Sequence, residues 1–265
     1  MDFFIFLFAY ALLGAFTGLM AGLLGIGGGL VLVPSLVMLF APVFAENQIM
    51  HMALGTSMAS IVFTSFFSAR AHYRLNNVVF SLVQTMGIGV FVGTLLGTFL
   101  TNLIPAKPLA IFYTAFVVFT AINMFRQINR QANGTLPSKK IQTLIGTLIG
   151  TLSSIVSIGG GSLIVPFLND CGLPLKRAIG TSSAIGVILA TGGTLGYALH
   201  GFLQNNAPYS LGYIYLPALL PLVVASHLTA PLGARLTQKC PVKRIKQFFA
   251  WLLVILALKM LGTFF

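Results

Sequence analysis

Acidic residues are almost absent from this sequence of 265 residues, which contains three: Asp2, Glu46 and Asp170. All three fall in predicted loops or at the ends of predicted segments. Metal-dependent enzymes need clustered carboxylates or histidines, and carboxylate proton relays need acids inside the apolar spans. The sequence therefore predicts no metal site and no cofactor, and it shows no nucleophile motif that would favour an enzyme.

Charge of either sign is scarce, because 7% of the residues are charged against about 25% in soluble domains. The net charge of +12 comes from Lys and Arg in short loops between apolar runs, so we expect no nucleic-acid partner. Cys171 and Cys240 lack the spacing of a metal site. The start Met1-Asp2-Phe3 has no positive region, which argues against a cleaved signal peptide.

Apolar runs fill the chain instead, with 57% hydrophobic residues. Runs of 18 or more apolar residues are long enough to cross a bilayer as helices. The sequence therefore predicts an all-α, polytopic helical membrane protein in contact with the lipid bilayer. The predicted segments are 3–24, 29–45, 52–69, 78–104, 108–125, 141–158, 162–170, 178–200, 209–237 and 245–263.

Three pairs of motifs indicate an internal duplication. Residues 25–34 read GIGGGLVLVP and residues 157–166 read SIGGGSLIVP, 132 positions later. Gly55-Thr56-Ser57 matches Gly180-Thr181-Ser182 at an offset of 125, and Leu96-Gly97 matches Leu232-Gly233 at an offset of 136. Matched breaks in two halves of a membrane chain are typical of transporters built from repeats. We predict a first repeat at 1–126, a linker at 127–140 and a second repeat at 141–265, together forming one membrane domain.

Each predicted repeat begins with a hairpin broken at its glycines and continues with three spanning helices, giving 8–10 membrane segments. Residues 162–170 would rise about 14 Å as a helix, half of the ~30 Å hydrocarbon core. We interpret this segment as a half-helix or re-entrant arm, and whether the hairpins span fully or re-enter stays open.

The distribution of basic residues predicts the orientation. With both termini outside, 13 of the 15 Lys and Arg fall on the cytoplasmic side, and Lys107 and Lys259 remain outside. Cys171 and Cys240 then face the cytoplasm. The two repeats would cross the membrane in opposite directions, as inverted repeats.

The glycine triplets are the first candidate site. Glycine adopts backbone angles that other residues avoid and lets the backbone approach a ligand closely, and unpaired N–H groups at a helix start can face an anion. The alternative is a tight turn or close packing. Gly14, Gly18 and Gly22, spaced four apart, favour a helix–helix contact. The candidate anion-binding residues here are Gly27, Gly28, Gly29, Gly159, Gly160 and Gly161.

Hydroxyl side chains extend this candidate site. They either cap a helix start or bind the anion beside a positive helix end. These candidates are Thr56, Ser57, Ser162, Thr181, Ser182 and Ser183. Of the four histidines, we expect His51, His72 and His200 at the membrane interface. His227 is predicted to lie within the hydrocarbon, where it either contacts a proton or the anion or bonds a backbone carbonyl freed by a proline.

The glycine blocks and the stretches Ala53–Ser57, Ile61–Thr64 and Ala71–Asn77 resemble the TauE/SafE family, the sulfite-exporter-like proteins also called TSUP permeases. The resemblance covers nearly the whole chain. It implies a bacterial inner-membrane transporter for sulfur-containing anions such as sulfite, thiosulfate or organosulfonates.

Three functional hypotheses follow from these observations. The first is a transporter of small anions, in which efflux runs on the membrane potential because no acid is available to carry a coupling ion. The second is a passive anion channel, which sequence does not separate from a carrier. The third is a membrane-embedded lipid enzyme, which the missing acids and nucleophile disfavour.

Overall fold

The computed structural model describes residues 2–25, 27–126, 134–204, 207–237 and 242–264. These residues form ten helices and one antiparallel pair of short strands, and the fold is all-α as predicted. The elements are α1 Asp2–Leu24, α2 Gly29–Phe40, α3 Glu46–Arg74, α4 Phe80–Asn102, α5 Ala106–Arg126, α6 Lys139–Ile155, α7 Gly161–Asp170, α8 Leu175–Gln204, β1 Ser210–Leu211, β2 Ile214–Tyr215, α9 Leu216–Leu236 and α10 Val242–Leu261.

Six of the described helices are long and apolar enough to cross a membrane: α1, α3, α4, α5, α8 and α9. The short helices lie where the sequence placed the broken hairpins. α2 has 12 residues and α7 has 10, which correspond to about 18 and 15 Å of rise. Each therefore reaches across about half of the hydrocarbon core.

Several predicted boundaries are wrong. α3 begins at Glu46, six residues before its predicted start, because a helix continues through polar residues that an apolar run does not include. The predicted segment 209–237 starts as a β-hairpin, with Ser210 paired to Tyr215. Gly212 has a φ of +59° in its turn, and the helix begins only at Leu216.

The first helix of each half packs on the fourth helix of the other half. A Cβ on Gly14 of α1 would lie 2.7 Å from the Cα of Leu222 in α9. A Cβ on Gly146 of α6 would lie 2.7 Å from the carbonyl oxygen of Met86 in α4. Gly18 of α1 touches α9 in the same way, next to Ser226. The helix contact expected from the glycine spacing in α1 is thus confirmed.

α3 and α8 form the centre and are more buried than the other four spanning helices. A Cβ on Gly193 would lie 2.9 Å from the Met58 sulfur, and one on Gly186 would lie 3.1 Å from the Ser65 hydroxyl. As the residue number rises along α8, the number of the α3 residue that it contacts falls. These two equivalent helices are therefore antiparallel. The opposite orientation of the two halves in a membrane, and their boundaries as repeats, remain predictions.

Candidate functional site

The first glycine break joins α1 to α2 through a left-handed backbone. Gly25, Gly27 and Gly28 have φ angles of +69°, +72° and +85°. Residues other than glycine avoid these angles because their Cβ atom would crowd the following carbonyl oxygen. The helix breaks sharply here because glycines occupy the positions at which the backbone becomes left-handed.

The second break, between α6 and α7, uses fewer left-handed residues. Ser157 has a φ of +46° and Gly160 a φ of +27°. Gly160 is the residue directly before α7, as Gly28 is the residue directly before α2. The two triplets therefore occupy equivalent places in the chain.

The two breaks meet inside the protein. A Cβ on Gly27 would lie 2.9 Å from the Cα of Gly159, and one on Gly29 would lie 3.2 Å from the Cα of Ile158. A Cβ on Gly29 would also meet the carbonyl oxygen of Ser157. The predicted glycines are all buried: Gly27, Gly28, Gly29, Gly159, Gly160 and Gly161. The amino ends of α2 and α7 thus lie at one place.

Side chains from three other helices hold the carbonyl end of α1. Ser182 of α8 donates to the Gly25 carbonyl at 3.0 Å, and Thr237 donates to the Leu23 carbonyl at 3.1 Å. Ser68 of α3 donates to the Ala21 carbonyl at 3.3 Å and lies 3.0 Å from Ser183. Carbonyls in the last turn of a helix have no partner within the helix, so these hydroxyls stabilise the break.

Of the two roles predicted for Thr56 and Thr181, the structure contradicts helix capping, and anion contact stays a prediction. Both lie inside helices, in α3 and α8, so they do not cap the helices that carry them. The Thr56 hydroxyl oxygen accepts a hydrogen bond from the backbone N–H of Tyr215 at 2.9 Å. The Thr181 hydroxyl oxygen accepts one from the backbone N–H of Val79 at 3.0 Å. Tyr215 and Val79 directly precede α9 and α4, so each hydroxyl anchors the start of a helix in the other half.

Ser57 is the predicted hydroxyl best placed to bind a ligand. Its side chain is fully buried, and its Oγ has no hydrogen-bond partner. It lies one helical turn before Ile61, whose Cγ2 is 2.9 Å from a Cβ built on Gly27. Ser162, at the start of α7, likewise has a buried Oγ without a partner. An unpaired buried hydroxyl costs about 1–3 kcal/mol, which a bound anion would offset.

Sequence reasoning missed further hydroxyls on α3. Ser60 is fully buried without a partner. Ser65 lies next to both Gly27 and Gly186, at 3.3 and 3.1 Å from a Cβ built on each. The signal was present in the sequence as a run of serines and threonines in a span that is otherwise apolar.

Three of the four histidines can be placed relative to the glycine breaks and the neighbouring helices. His227 is exposed on α9, where its ring lies 4.3 Å from that of Phe67. The structure does not bring it together with the glycine breaks, and its contact with a proton or anion stays a prediction. His51 and His72, expected at the interface, are 8% and 0% exposed. Each is buried because it bonds a backbone carbonyl of another helix, that of Thr101 or Gly22.

The site is neutral. Among the residues that the structure describes, no Lys, Arg, Asp or Glu is buried. The ion pair between Lys107 and Glu46, at 3.0 Å, has both side chains more than half exposed. The described residues contain no group of three His, Cys, Asp or Glu that could hold a metal ion. The arrangement offers a ligand neutral N–H and O–H donors at two positive helix ends.

Comparison with known proteins identifies the family. The family model described as sulfite exporter TauE/SafE matches residues 10–260. The chain belongs to the TauE/SafE family. It is a membrane transporter of this family, with six helices able to span a membrane. No solved structure matches the chain at a significant level.

Three relatives match this TauE/SafE chain over most of its length. A protein of Haemophilus influenzae named probable membrane transporter protein is 40% identical over 97% of this chain and 98% of its own length. A protein of Methanocaldococcus jannaschii with the same description is 27% identical over 94% of this chain and 93% of its own. A third, from Bacillus subtilis, is 28% identical over 84% of this chain and 87% of its own.

Proposed function

We propose that the protein moves small sulfur-containing anions, such as sulfite, thiosulfate or organosulfonates, across the bacterial inner membrane. Transport occurs where the two glycine breaks meet, and efflux is driven by the membrane potential. Both termini lie outside the cytoplasm. The protein is not an enzyme in this proposal.

The observation that carries the proposal is the meeting of two half-helix amino ends beside buried hydroxyls. α2 and α7 both start at the breaks, and Gly27 touches Gly159. A helix amino end carries a partial positive charge and free N–H groups that favour anions. The unpartnered hydroxyls of Ser57 and Ser162 add donors at this point. Broken helices in a membrane are tolerated where they line a binding site or are covered by protein.

The antiparallel course of α3 and α8 supports the inverted arrangement of the halves. In such transporters the substrate binds between the repeats, and one half rocks against the other. The glycine breaks are buried in this structure, which corresponds to an occluded conformation. Access from either side would require α2 or α7 to move away from the contact.

The charge of the site supports movement driven by the potential. No buried carboxylate among the described residues is available to coordinate Na⁺ or to carry a proton. An anion that leaves a cell with a negative interior gains about 2.3 kcal/mol per charge per 100 mV. Net export therefore needs no coupling ion.

The experiment is anion flux in proteoliposomes that contain the purified protein, with ³⁵S-labelled sulfite and thiosulfate as probes. A K⁺ diffusion potential imposed with valinomycin should accelerate flux toward the positive side. Liposomes without protein are the control. Flux that does not change with the membrane potential and requires a pH gradient would contradict the proposal that the potential alone drives transport.

A passive channel is the second candidate. Saturation of the flux and counterflow against a preloaded anion are expected for a carrier, because each cycle moves a bound ion through an occluded state. Flux that rises linearly with concentration, without counterflow, would favour the channel. The burial of the glycine breaks favours the carrier.

A further inference from the structure

His72 and Tyr197 occupy equivalent positions in the two halves. They are 125 residues apart, the offset that also relates Thr56 to Thr181. The His72 Nε2 lies 2.9 Å from the carbonyl oxygen of Gly22, and the Tyr197 hydroxyl donates to the carbonyl of Ser154 at 2.8 Å. Gly22 and Ser154 are themselves related by the 132-residue offset of the glycine blocks.

The two contacts hold the same part of the fold. Gly22 lies in the last turns of α1, before the first break, and Ser154 lies in the last turn of α6, before the second. Both side chains come from the central helices and are nearly or fully buried, with His72 0% and Tyr197 2% exposed. Each half thus has one side chain that fixes the helix end leading into its break.

The hydrogen bonds of His72 match a neutral imidazole. A carbonyl oxygen only accepts, so the Nε2 that contacts Gly22 carries a proton. The Nδ1 lies 3.5 Å from the amide nitrogen of Asn77, which only donates. In a neutral ring the free Nδ1 accepts this bond. A second proton on Nδ1 would place two donors against each other.

No negative side chain compensates a charged His72. The elements packed around it are α1, the loop 75–79, α8 and α9, and the near part of α1 and the loop carry no titratable group. Asp170, at the end of α7, bonds residue 134 through its backbone carbonyl. The titratable side chains described near this end of α3, α8 and α9 are exposed, and all but one are basic: Arg70, Tyr73, Arg74, Lys176, Arg177 and Arg235.

We propose that His72 is a positioning residue that holds the first break in place only while its imidazole is neutral. Imidazole is the side chain that changes charge between about pH 5 and 8, whereas a phenol does so near about pH 10. Acidification therefore loosens the first break, while Tyr197 keeps the second fixed. The inference deepens the proposed function, because loosening this break lowers anion transport at acidic pH.

The test is hydrogen–deuterium exchange of the purified full chain in steps from pH 7.5 to pH 4.5, corrected for the intrinsic exchange rates. Peptides covering residues 18–25 and 150–158 report the two helix ends. Exchange at 18–25 should become roughly two- to tenfold faster at the lower pH, the range that one hydrogen bond supports. Exchange at 150–158 should not change. Equal behaviour of the two peptides would overturn the proposal.

Matched variants separate titration from packing. His72→Gln retains an amide donor for the Gly22 carbonyl and does not titrate, so its exchange at 18–25 should be independent of pH. Tyr197→His should create a pH dependence at 150–158. His200→Gln, a change at a histidine that bonds the Gly196 carbonyl within its own helix, should show the same exchange at 18–25 as the wild type. A pH dependence that persists in His72→Gln overturns the proposal, and if that variant does not fold, Tyr197→His decides.

Exchange requires no anion, so its result stands whether or not the protein carries sulfur oxyanions. The role in transport is then read from the pH profile of thiosulfate flux. Flux that declines toward pH 4.5 in the wild type and stays level in His72→Gln supports it. A declining profile in both proteins would refute the transport role while leaving the exchange result intact.

Discussion

The first and second glycine breaks occupy equivalent places in the chain but differ in how firmly their half-helices are enclosed. α2 is buried at nine of its 12 residues, whereas α7 is buried at four of its 10. The Tyr113 hydroxyl donates to the Leu30 carbonyl in α2 at 3.1 Å. The residue equivalent to Tyr113, at the 136-residue offset, is Phe249, which has no hydroxyl.

Aromatic packing adds to this difference. Phe40, the last residue of α2, contacts the rings of Tyr10, Phe44 and Tyr215. The equivalent position at the end of α7, 132 residues later, is Gly172. Segments with fewer buried contacts unfold locally at a lower free-energy cost. The comparison teaches that a duplicated backbone leaves one arm fixed and the other freer, and we expect α7 to move first.

The sharpest test of the comparison is the side from which each arm can be labelled. In a Cys240→Ser variant, Cys171 at the end of α7 should react with a membrane-impermeant maleimide in inside-out vesicles only. In a variant without native cysteines, Ala41→Cys at the exposed end of α2 should react only from the opposite side. The proposed inverted arrangement directs the two ends to opposite faces of the membrane, so we expect all-or-none outcomes.

Permeabilised vesicles, in which both positions should react, are the control. Labelling of both from one side would contradict the inverted arrangement. Burial raises the pKa of the Cys171 thiol, and the charge of Asp170 raises it further. The thiolate is the reactive form, so labelling of Cys171 should accelerate as the pH rises above neutrality.

Substitution of the last glycine before each half-helix should affect the first break more strongly. Gly28→Leu places a side chain at a φ of +85° and 2.8 Å from the Cβ of Thr17. The expected cost is about 1–2 kcal/mol for the backbone and about 1–3 kcal/mol for overpacking, with loss of flux. Gly160→Leu meets the flexible end of Ile164 at a φ of +27°, so its cost should be smaller. Thermal unfolding in detergent and flux measure both.

Gly262→Leu is the matched control, since a Cβ there would lie 3.4 Å from the carbonyl of Lys259 in ordinary contact. It should retain stability and transport. Full activity of Gly28→Leu and Gly160→Leu would mean that the triplets serve neither close packing nor ligand approach.

The shared anchors should respond equally in both halves. Thr56→Val and Thr181→Val each leave a backbone N–H without its acceptor, that of Tyr215 or Val79. Each should destabilise the protein by roughly 1–3 kcal/mol, measured by thermal unfolding. Thr191→Val, at an exposed threonine that bonds within its own helix, should have little effect. A clear difference between the loss of stability in Thr56→Val and that in Thr181→Val would contradict the equivalence of the two halves.

The smallest effects should separate ligand contact from structural support. Ser57→Ala removes a hydroxyl without a partner, so stability should hold while the affinity for thiosulfate falls roughly five- to tenfold. Ser182→Ala removes the donor to the Gly25 carbonyl and should cost about 1 kcal/mol of stability. Binding titrations and thermal unfolding of both variants provide the readout. Unchanged affinity in Ser57→Ala would remove this serine from the site.

Much of the fold was predictable because membrane helices must bury their own backbone polar groups and face lipid with apolar side chains. The apolar runs therefore marked the helices, and their length identified α7 as a half-helix. The triplets Gly27–Gly29 and Gly159–Gly161 marked the breaks, since consecutive glycines allow backbone angles that interrupt a helix. The short hairpin at 210–215 escaped prediction because it interrupts an otherwise apolar run.

The site itself was predictable only as a set of residue types. Thr56 and Ser57 are adjacent in sequence, yet Thr56 bonds the backbone of residue 215 and Ser57 has no partner. His72 and His227 have the same side chain, yet one is enclosed by α1 and the other faces outward. Such differences depend on neighbours far away in the chain, which periodicity and composition do not specify.

The sequence by itself determined the helical membrane class, the duplication and the positions of the breaks, because these depend on local hydropathy and on the backbone freedom of glycine. The tertiary structure alone decided that the two breaks touch, that Thr56 and Thr181 anchor helices of the opposite half, and that His72 and Tyr197 each bond the helix end that leads into a break. Those facts arise from packing between segments that are between 43 and 159 residues apart in the sequence, where burial assigns each polar group its partner.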